Sequence, residues 1–583
     1  KKMDFKGNFG PNSFLNKHKI ALTLALVIAI LFVLPQLVFM FDSNYQGIQM
    51  LSTDAEYFYL SRANEVYEGD GDVSNPYLED KDTPAMYPIL GENIIARTGL
   101  LLNLSVVETM ILFKAVLPFL MFLLIYAFVF RIFGSKQVAI LSTVLIMLGY
   151  NLLDGFVPVK DLLTLSVNSN SFLPYTRPPH PIISSFFIFG GLYLIYLLSE
   201  KINDGLDVSW KYVLALGFVS GVSIYSYIYA WSFLVVFLGL YGVYFLFKKD
   251  FEAFWVFVKV AIINLLITIP YWMNVLEARA HPFYTESSLR VGLINTHAPI
   301  FSVWLLLVTL AILFLWPKEE LWRKIKPFFL IFIFSLWVAI NQQVISGYEL
   351  HHAHYHFYIA KPLISIVLAS LFVYWSIRLF KAKSAILSLI LLLVLFINGV
   401  LIQKSAYASN YEEFASNQKY QELSAYLNEN YTEPVSIWST PEDALILPVY
   451  TNHNFPNHDG LGYSILSNDY LIDRLLLGYK LQNVKPENFR SILEEDKLYA
   501  SKRTFLMHYR QSLGSYESIP DEVLDNISEK YQSFYDFSYN KIFDSLGIDI
   551  FLYEDLGGAN LFLGLKELKE VDRIENYIVY GRT

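Results

Sequence analysis

Apolar residues along this chain gather into runs of about twenty, separated by short polar links. That spacing suits a helix crossing a bilayer core at about 1.5 Å per residue. Eleven such runs can be drawn, at 20–41, 107–131, 137–153, 181–199, 211–228, 230–247, 253–275, 299–316, 327–344, 359–380 and 384–403. The pattern predicts a polytopic α-helical membrane protein with about eleven transmembrane helices. The first run is too long for a signal-peptide core and no small-residue cleavage site follows it, so it reads as a retained span. Beyond residue 403 the pattern changes. A helical segment over 411–428, a short apolar strand at 434–438, a helix opening at Ser439 to Asp443 and strands at 547–553 and 577–580 predict a C-terminal α/β domain with a partly parallel sheet. The expected division is a membrane domain, 1–403, and a soluble domain, 404–583.

The polar links carry an orientation. Lys1, Lys2, Lys6, Lys17 and Lys19 precede the first run, and basic clusters recur at 131–136, 201–211, 248–249, 318–326 and 378–383. With eleven crossings all of these fall on one face, which the positive-inside rule makes the cytoplasm. The longer loops at 42–106, 154–180, 276–298 and 345–358, with the C-terminal domain, then lie outside, and the plasma membrane is the expected location. Composition agrees: 54% of residues are hydrophobic and 17% charged, with a mean hydropathy of +0.39. Residues 404–583 hold 28 acidic and 16 basic side chains against a whole-chain charge of −9, so the membrane part is slightly positive. Nucleic-acid binding has no support in this balance. The chain has no cysteine, which excludes disulfides, thiolate metal sites and cysteine nucleophiles.

Candidate chemistry concentrates in the outer loops. The first contains Thr53-Asp54-Ala55-Glu56-Tyr57-Phe58-Tyr59-Leu60-Ser61-Arg62, two acids one residue apart followed by aromatics and an arginine. Asp54 suits the cap of a helix starting at Ala55, with Glu56 in its first turn; a carboxylate there also suits a cation, a proton or a sugar hydroxyl. Residues 89–107 then read as an amphipathic interfacial helix. The second loop presents Arg177 and His180 in a frame of three prolines, where an arginine fork would grip a phosphate or snorkel to headgroups. Tyr225, Tyr227, Tyr229 and Trp231 read as an interfacial aromatic belt. The third loop carries Arg279 and Arg290. The fourth is densest, with Glu349 followed by His351, His352, His354 and His356, four of the eleven histidines within six residues. Metal ligation, with His351 and His354 on one helical face or His352, His354 and His356 on one strand face, contact with a phosphate-bearing substrate, and a plain surface cluster all remain open for it.

The first-loop acidic motif, the interfacial helix, the span count and the outward C-terminal domain together resemble the GT-C superfamily of integral-membrane glycosyltransferases. The stretch from Thr53 to Tyr59, with Arg62 and Ala63, is similar to the first-loop motif of bacterial and archaeal oligosaccharyltransferases. The resemblance implies a GT-C-like fold and transfer of a sugar, with inversion, from a polyprenyl-phosphate-linked donor to a glycan, lipid or protein acceptor on the outer face. It implies Asp54, and less directly Glu56, as the base or acceptor-orienting acid. Arg177, His180, Arg279, Arg290, Glu349 and the His351 to His356 cluster are the candidates for substrate contact. A divalent metal is a possible cofactor. The C-terminal Trp-Trp-Asp motif by which oligosaccharyltransferases bind their acceptor sequon is missing, which favours another branch. The rival readings are a polytopic transporter, which would place charges mid-span and show internal repeats, and a non-catalytic subunit of a membrane complex. The enzyme reading expects Asp54, Arg177, Arg290 and the histidines to converge on one outward cavity.

Overall fold

The structure is a computed structural model that describes residues 11–51, 54–71, 73–81, 83–349, 351–509, 519–555 and 568–582. Its first four helices set the frame. Helix α1 (Pro11–Met40) holds the first apolar run, α2 (Asp54–Glu68) carries the first-loop motif, α3 (Leu90–Leu102) follows, and α4 (Val106–Phe133) returns through the core against α1. The region expected as one helix over 89–107 is broken at Asn103, whose left-handed conformation (φ 55°) ends α3. Ser105 then starts α4: its hydroxyl accepts the Glu108 N–H at 3.2 Å while Glu108 accepts the Ser105 N–H at 2.8 Å. At the other end Gly134 closes α4 in the left-handed region, and Ser135 caps the helix Lys136–Leu148.

Among the described residues seven segments are long and apolar enough to cross a membrane, including Asn16–Met40, Val106–Phe133, Phe251–Ala280 and Ala353–Asn430. The last contains two of the expected runs on either side of a break at Lys381. The runs expected at 137–153, 211–228 and 299–316 form the shorter apolar stretches Lys136–Leu148, Trp210–Tyr225 and Val303–Leu315. The chain is an integral membrane protein. Side-chain burial supports this: Leu265, Leu266, Met273 and Leu276 of the helix Phe251–Ala280 are each at least 60% exposed, a face that only lipid would cover. Inside the bundle, aromatic rings fill the core, with Phe237, Phe328 and Phe332 packed edge and face. Some polar groups among the helices are paired across them. Asn398 donates to the Leu148 carbonyl at 2.6 Å and to Asn151 at 2.8 Å, and Lys114 of α4 is fully buried against Glu56.

The loops after the helices Phe251–Ala280 and Glu320–Ile340 are tied by a two-residue antiparallel ladder, β1 (Ile294–Asn295) with β2 (Tyr348–Glu349). The helix Ser384–Ser416 runs unbroken through the expected domain boundary at 403 and delivers the chain into the C-terminal fold. There β3 (Ile437–Trp438), β4 (Ile550–Glu554), β5 (Leu568–Ile574) and β6 (Tyr577–Arg582) form a sheet ordered β3-β4-β6-β5. β3 runs parallel to β4, and the remaining pairs are antiparallel. Buried Asp443 pins helix to sheet by accepting from the hydroxyls of Tyr420 and Tyr577 at 2.8 and 2.9 Å.

Candidate functional site

A cavity of about 840 Å³ lies between the ends of the membrane helices and the C-terminal fold. Helix α2 turns Phe58, Tyr59 and Arg62 toward it, residues that share one face at helical spacing. Arg62 bridges to α3: it meets Glu92 at 3.1 Å and donates to the carbonyls of Tyr87 and Pro88 at 3.3 and 3.2 Å. Burial pushes the Glu92 carboxyl up from the usual range, against the opposing pull of Arg62. The C-terminal fold supplies the facing wall, including His458, Tyr463 and the exposed cation Lys502.

The second loop enters as the prolines dictate. A turn at Pro174–Thr176 leads into a wide turn at Pro178–Ile183, from which the helix Ser184–Asn203 departs. Arg177 folds back on this frame: its Nε donates to the His180 carbonyl, and its Nη2 lies 3.4 Å from the Tyr358 hydroxyl. His180 is 6% exposed and lines the cavity, its ring packed 3.9 Å from that of Tyr227. The Ser184 hydroxyl donates to the Pro181 carbonyl at 2.9 Å and sits 2.7 Å from His180 Nδ1. Among the described residues His180 Nε2 is buried with no hydrogen-bond partner.

The fourth loop adopts the helical alternative and divides its histidines. His351 and His354, three residues apart, line the cavity with ring centroids 4.9 Å apart. His354 stacks on Tyr229 at 4.6 Å, and its Nδ1 meets the Tyr227 hydroxyl. His352 instead pairs with Glu349 at 2.7 Å, and Glu349 is buried in β2. His356 lies within electrostatic reach of Lys361 and Asp154, themselves an ion pair.

Of the expected residues, then, His180, His351 and His354 meet at the cavity, with Arg177 directly behind His180. Asp54 opens α2, but its side chain lies outside the described ones. Glu56, Arg279, Arg290, Glu349, His352 and His356 are not on the cavity wall. Glu56 turns inward because Lys114 lies beneath α2, 2.7 and 2.9 Å from its two oxygens. Arg279 is exposed at the end of the helix Phe251–Ala280. Arg290 is fully buried, donating to the carbonyls of Gly462, Ser464 and Leu466 at 3.2, 3.1 and 2.8 Å. The convergence is therefore partial, and Arg290 ties its loop to the C-terminal fold. Among the described residues no group of three His, Asp or Glu side chains is placed to hold a metal ion.

Other wall residues carried no such expectation. Tyr227, Tyr229 and Trp231 line the cavity rather than forming a belt, because the tight turn Ser223–Tyr225 and the extended backbone of Tyr227 re-aim them before the helix Ile228–Phe247 begins. The Arg62–Glu92 pair had a sequence signal, an arginine two turns into the acidic motif. His458 and Lys502 had none.

No family model matches the chain, and no curated protein matches it. Solved structures do. The oligosaccharyltransferase AglB from Archaeoglobus fulgidus, in complex with an inhibitory peptide and a dolichol-phosphate, aligns over 93% of this chain and 70% of its own, at 11% identity and a TM-score of 0.50. ArnT from Cupriavidus metallidurans bound to undecaprenyl phosphate aligns over 76% and 85%, at 12% identity and a TM-score of 0.46. The chain shares the fold of the AglB structure.

Proposed function

We propose that the protein transfers a sugar from a polyprenyl-phosphate-linked donor to an acceptor on the extracytoplasmic face of the plasma membrane, with the N-terminus in the cytoplasm. The observation that carries this reading is the single cavity where α2, His180, His351, His354 and Lys502 meet, in a fold like that of AglB. Aromatic walls with few polar groups suit a saccharide and a lipid-linked phosphate. In the reaction the acceptor oxygen loses its proton to a base and attacks the anomeric carbon. A new C–O bond forms as the bond to the phosphate oxygen breaks, and the phosphate leaves with both electrons. Asp54, at the start of the helix that carries Tyr59 and Arg62 to the cavity, is assigned as the base or acceptor-orienting acid. Lys502 neutralises the departing phosphate, and His351 and His354 line the cavity where they can hydrogen-bond it. His180 Nε2, buried at the cavity wall, suits a hydrogen bond to a substrate hydroxyl.

The test is turnover of radiolabelled polyprenyl-phosphate sugars by the full chain in lipid nanodiscs. Asp54→Asn is expected to lower turnover at least 100-fold, the usual range for a positioned acid or base. Lys502→Glu is expected to lower it about tenfold with little change in thermal stability. Undiminished turnover in Asp54→Asn removes the assigned base. Donor flipping across the membrane without any transfer would instead favour a transporter.

A further inference from the structure

A second, smaller cavity of about 260 Å³ lies inside the C-terminal fold. Its walls contain two buried guanidinium groups, Arg474 and Arg503, which are 1% and 4% exposed. Arg474 projects from the helix Asn468–Leu481. It donates through Nη1 to the His458 carbonyl at 2.6 Å and through Nη2 to the Arg503 carbonyl at 2.5 Å, leaving buried Nε without a partner among the described residues. Arg503 donates to the Asn457 carbonyl at 3.0 Å and to its side-chain oxygen, and lies 2.8 Å from Asp459.

The charge does not balance. Asp459 is the carboxylate beside the two guanidinium groups, and its side chain is 59% exposed. Glu554 also lines the cavity but is held by Lys419 at 2.7 Å. Burial, reinforced by the neighbouring Arg503 charge, pulls the Arg474 guanidinium down to about 9. A buried cation with carbonyl partners and no carboxylate of its own is unfavourable unless an anion completes it. Gln482 and Tyr499 are exposed among the lining residues, and buried Asn457 has its amide committed to the Ser439 carbonyl and to Arg503.

We propose that this cavity binds the oxyanion of a small acidic saccharide unit, a carboxylate or phosphate gripped by Arg474 and Arg503. The segment from Asn457 to Asp459 separates it from the large cavity: Asn457 faces the small one, and His458 and Asp459 the large. Lys502 and Arg503 divide in the same way, and Pro441 borders both. An acceptor anchored here by its acid would reach the large cavity past one thickness of chain. Only this last assignment, of the anion to an acceptor, rests on the glycosyltransferase reading.

Gly478 supplies a test that spares the arginines. It lines the cavity from the helix Asn468–Leu481, and a Cβ built there meets nothing within 4 Å. Calorimetric titration of the detergent-solubilised full chain with glucuronate, glucose 6-phosphate, inorganic phosphate and neutral glucose reads the site without any donor. Binding of glucuronate or of a phosphate, but not of glucose, is expected, with glucuronate alone identifying a carboxylate and the phosphates alone a phosphate. Gly478→Ala should leave affinity unchanged, whereas Gly478→Glu and Arg503→Gln should each weaken it at least tenfold. Absence of anion binding, equal binding of glucose, or indifference to Gly478→Glu would overturn the proposal. Intact sugar transfer without anion binding removes this inference alone, and anion binding without transfer leaves it standing.

Discussion

His458 is an imidazole that the C-terminal fold holds neutral. Its ring stacks on Tyr77 at 3.7 Å, its Nδ1 accepts the Gly460 N–H at 2.7 Å, and Arg474 and Arg503 lie close by. Burial, with those two charges behind it, drives its pKa well below the unfolded value of 6.5. Below pH 6.5 the unfolded chain therefore binds a proton that the folded chain refuses, so stability is full above that pH and is lost as the solution is acidified. One such group gives a slope of at most about 1.4 kcal/mol per pH unit. Thermal unfolding followed from pH 7.5 to 5 should show the melting temperature falling below pH 6.5. His458→Asn should flatten that fall even though it lowers the starting value by removing the Tyr77 stack. An unchanged slope in the variant would assign the acid sensitivity to other groups. Nothing local marks this histidine in the sequence, because its partners lie 381, 16 and 45 positions away in the chain. His180 was better signalled, since the surrounding prolines fix the backbone and its partner Ser184 is one turn on.

Between elements, one close approach in the membrane bundle is set by glycines. The helices Trp210–Val222 and Phe251–Ala280 pack with Gly217 and Gly221, one turn apart, against the second helix. A Cβ on Gly217 would lie 2.6 Å from Ile263 Cγ2, and one on Gly221 2.9 Å from Ile267 Cβ. Gly217→Val is therefore expected to push the helices apart and lower the melting temperature in detergent by several degrees, an overpacking cost of about 1–3 kcal/mol. An unshifted melt would mean that Ile263 swings aside freely. The same helix shows which features sequence pattern carries. Long apolar runs are legible because composition and length alone dictate burial in lipid, whereas the capping box at Ser105 and Glu108, though local, was passed over by the helix expected through 89–107. The aromatic stretch ending in Trp231 was not legible, since the same residue types suit an interfacial belt and a cavity wall. What decided between them was the backbone at Tyr227, which depends on packing from other helices. Likewise Glu56 could be read as a surface acid until α4 placed Lys114 beneath it.

At the scale of the whole molecule, Arg290 joins the two parts that enclose the large cavity. It leaves the membrane half on a short helix, Tyr284–Arg290, and its guanidinium reaches three carbonyls of the C-terminal fold as well as the side chains of Asn468 and Ser287 at 2.6 and 2.8 Å. The Arg290 carbonyl in turn accepts the Met507 N–H at 3.1 Å. The next residues, Val291 to Leu293, form cavity wall, so the joint and the site share one segment. Arg290→Lys keeps a charge but loses the planar fork that serves several acceptors at once. Buried carbonyls left without donors cost about 1–3 kcal/mol each, so the joint should weaken on the order of 3 kcal/mol while each half keeps its own core. Hydrogen exchange on the full chain should then accelerate across residues 462–468 but not in the sheet from β3 to β6, and sugar transfer should fall in step as the wall loosens. Equal protection of 462–468 in the variant would show that the halves are held together elsewhere. Faster exchange with undiminished transfer would show that the C-terminal wall serves the cavity without shaping the reaction.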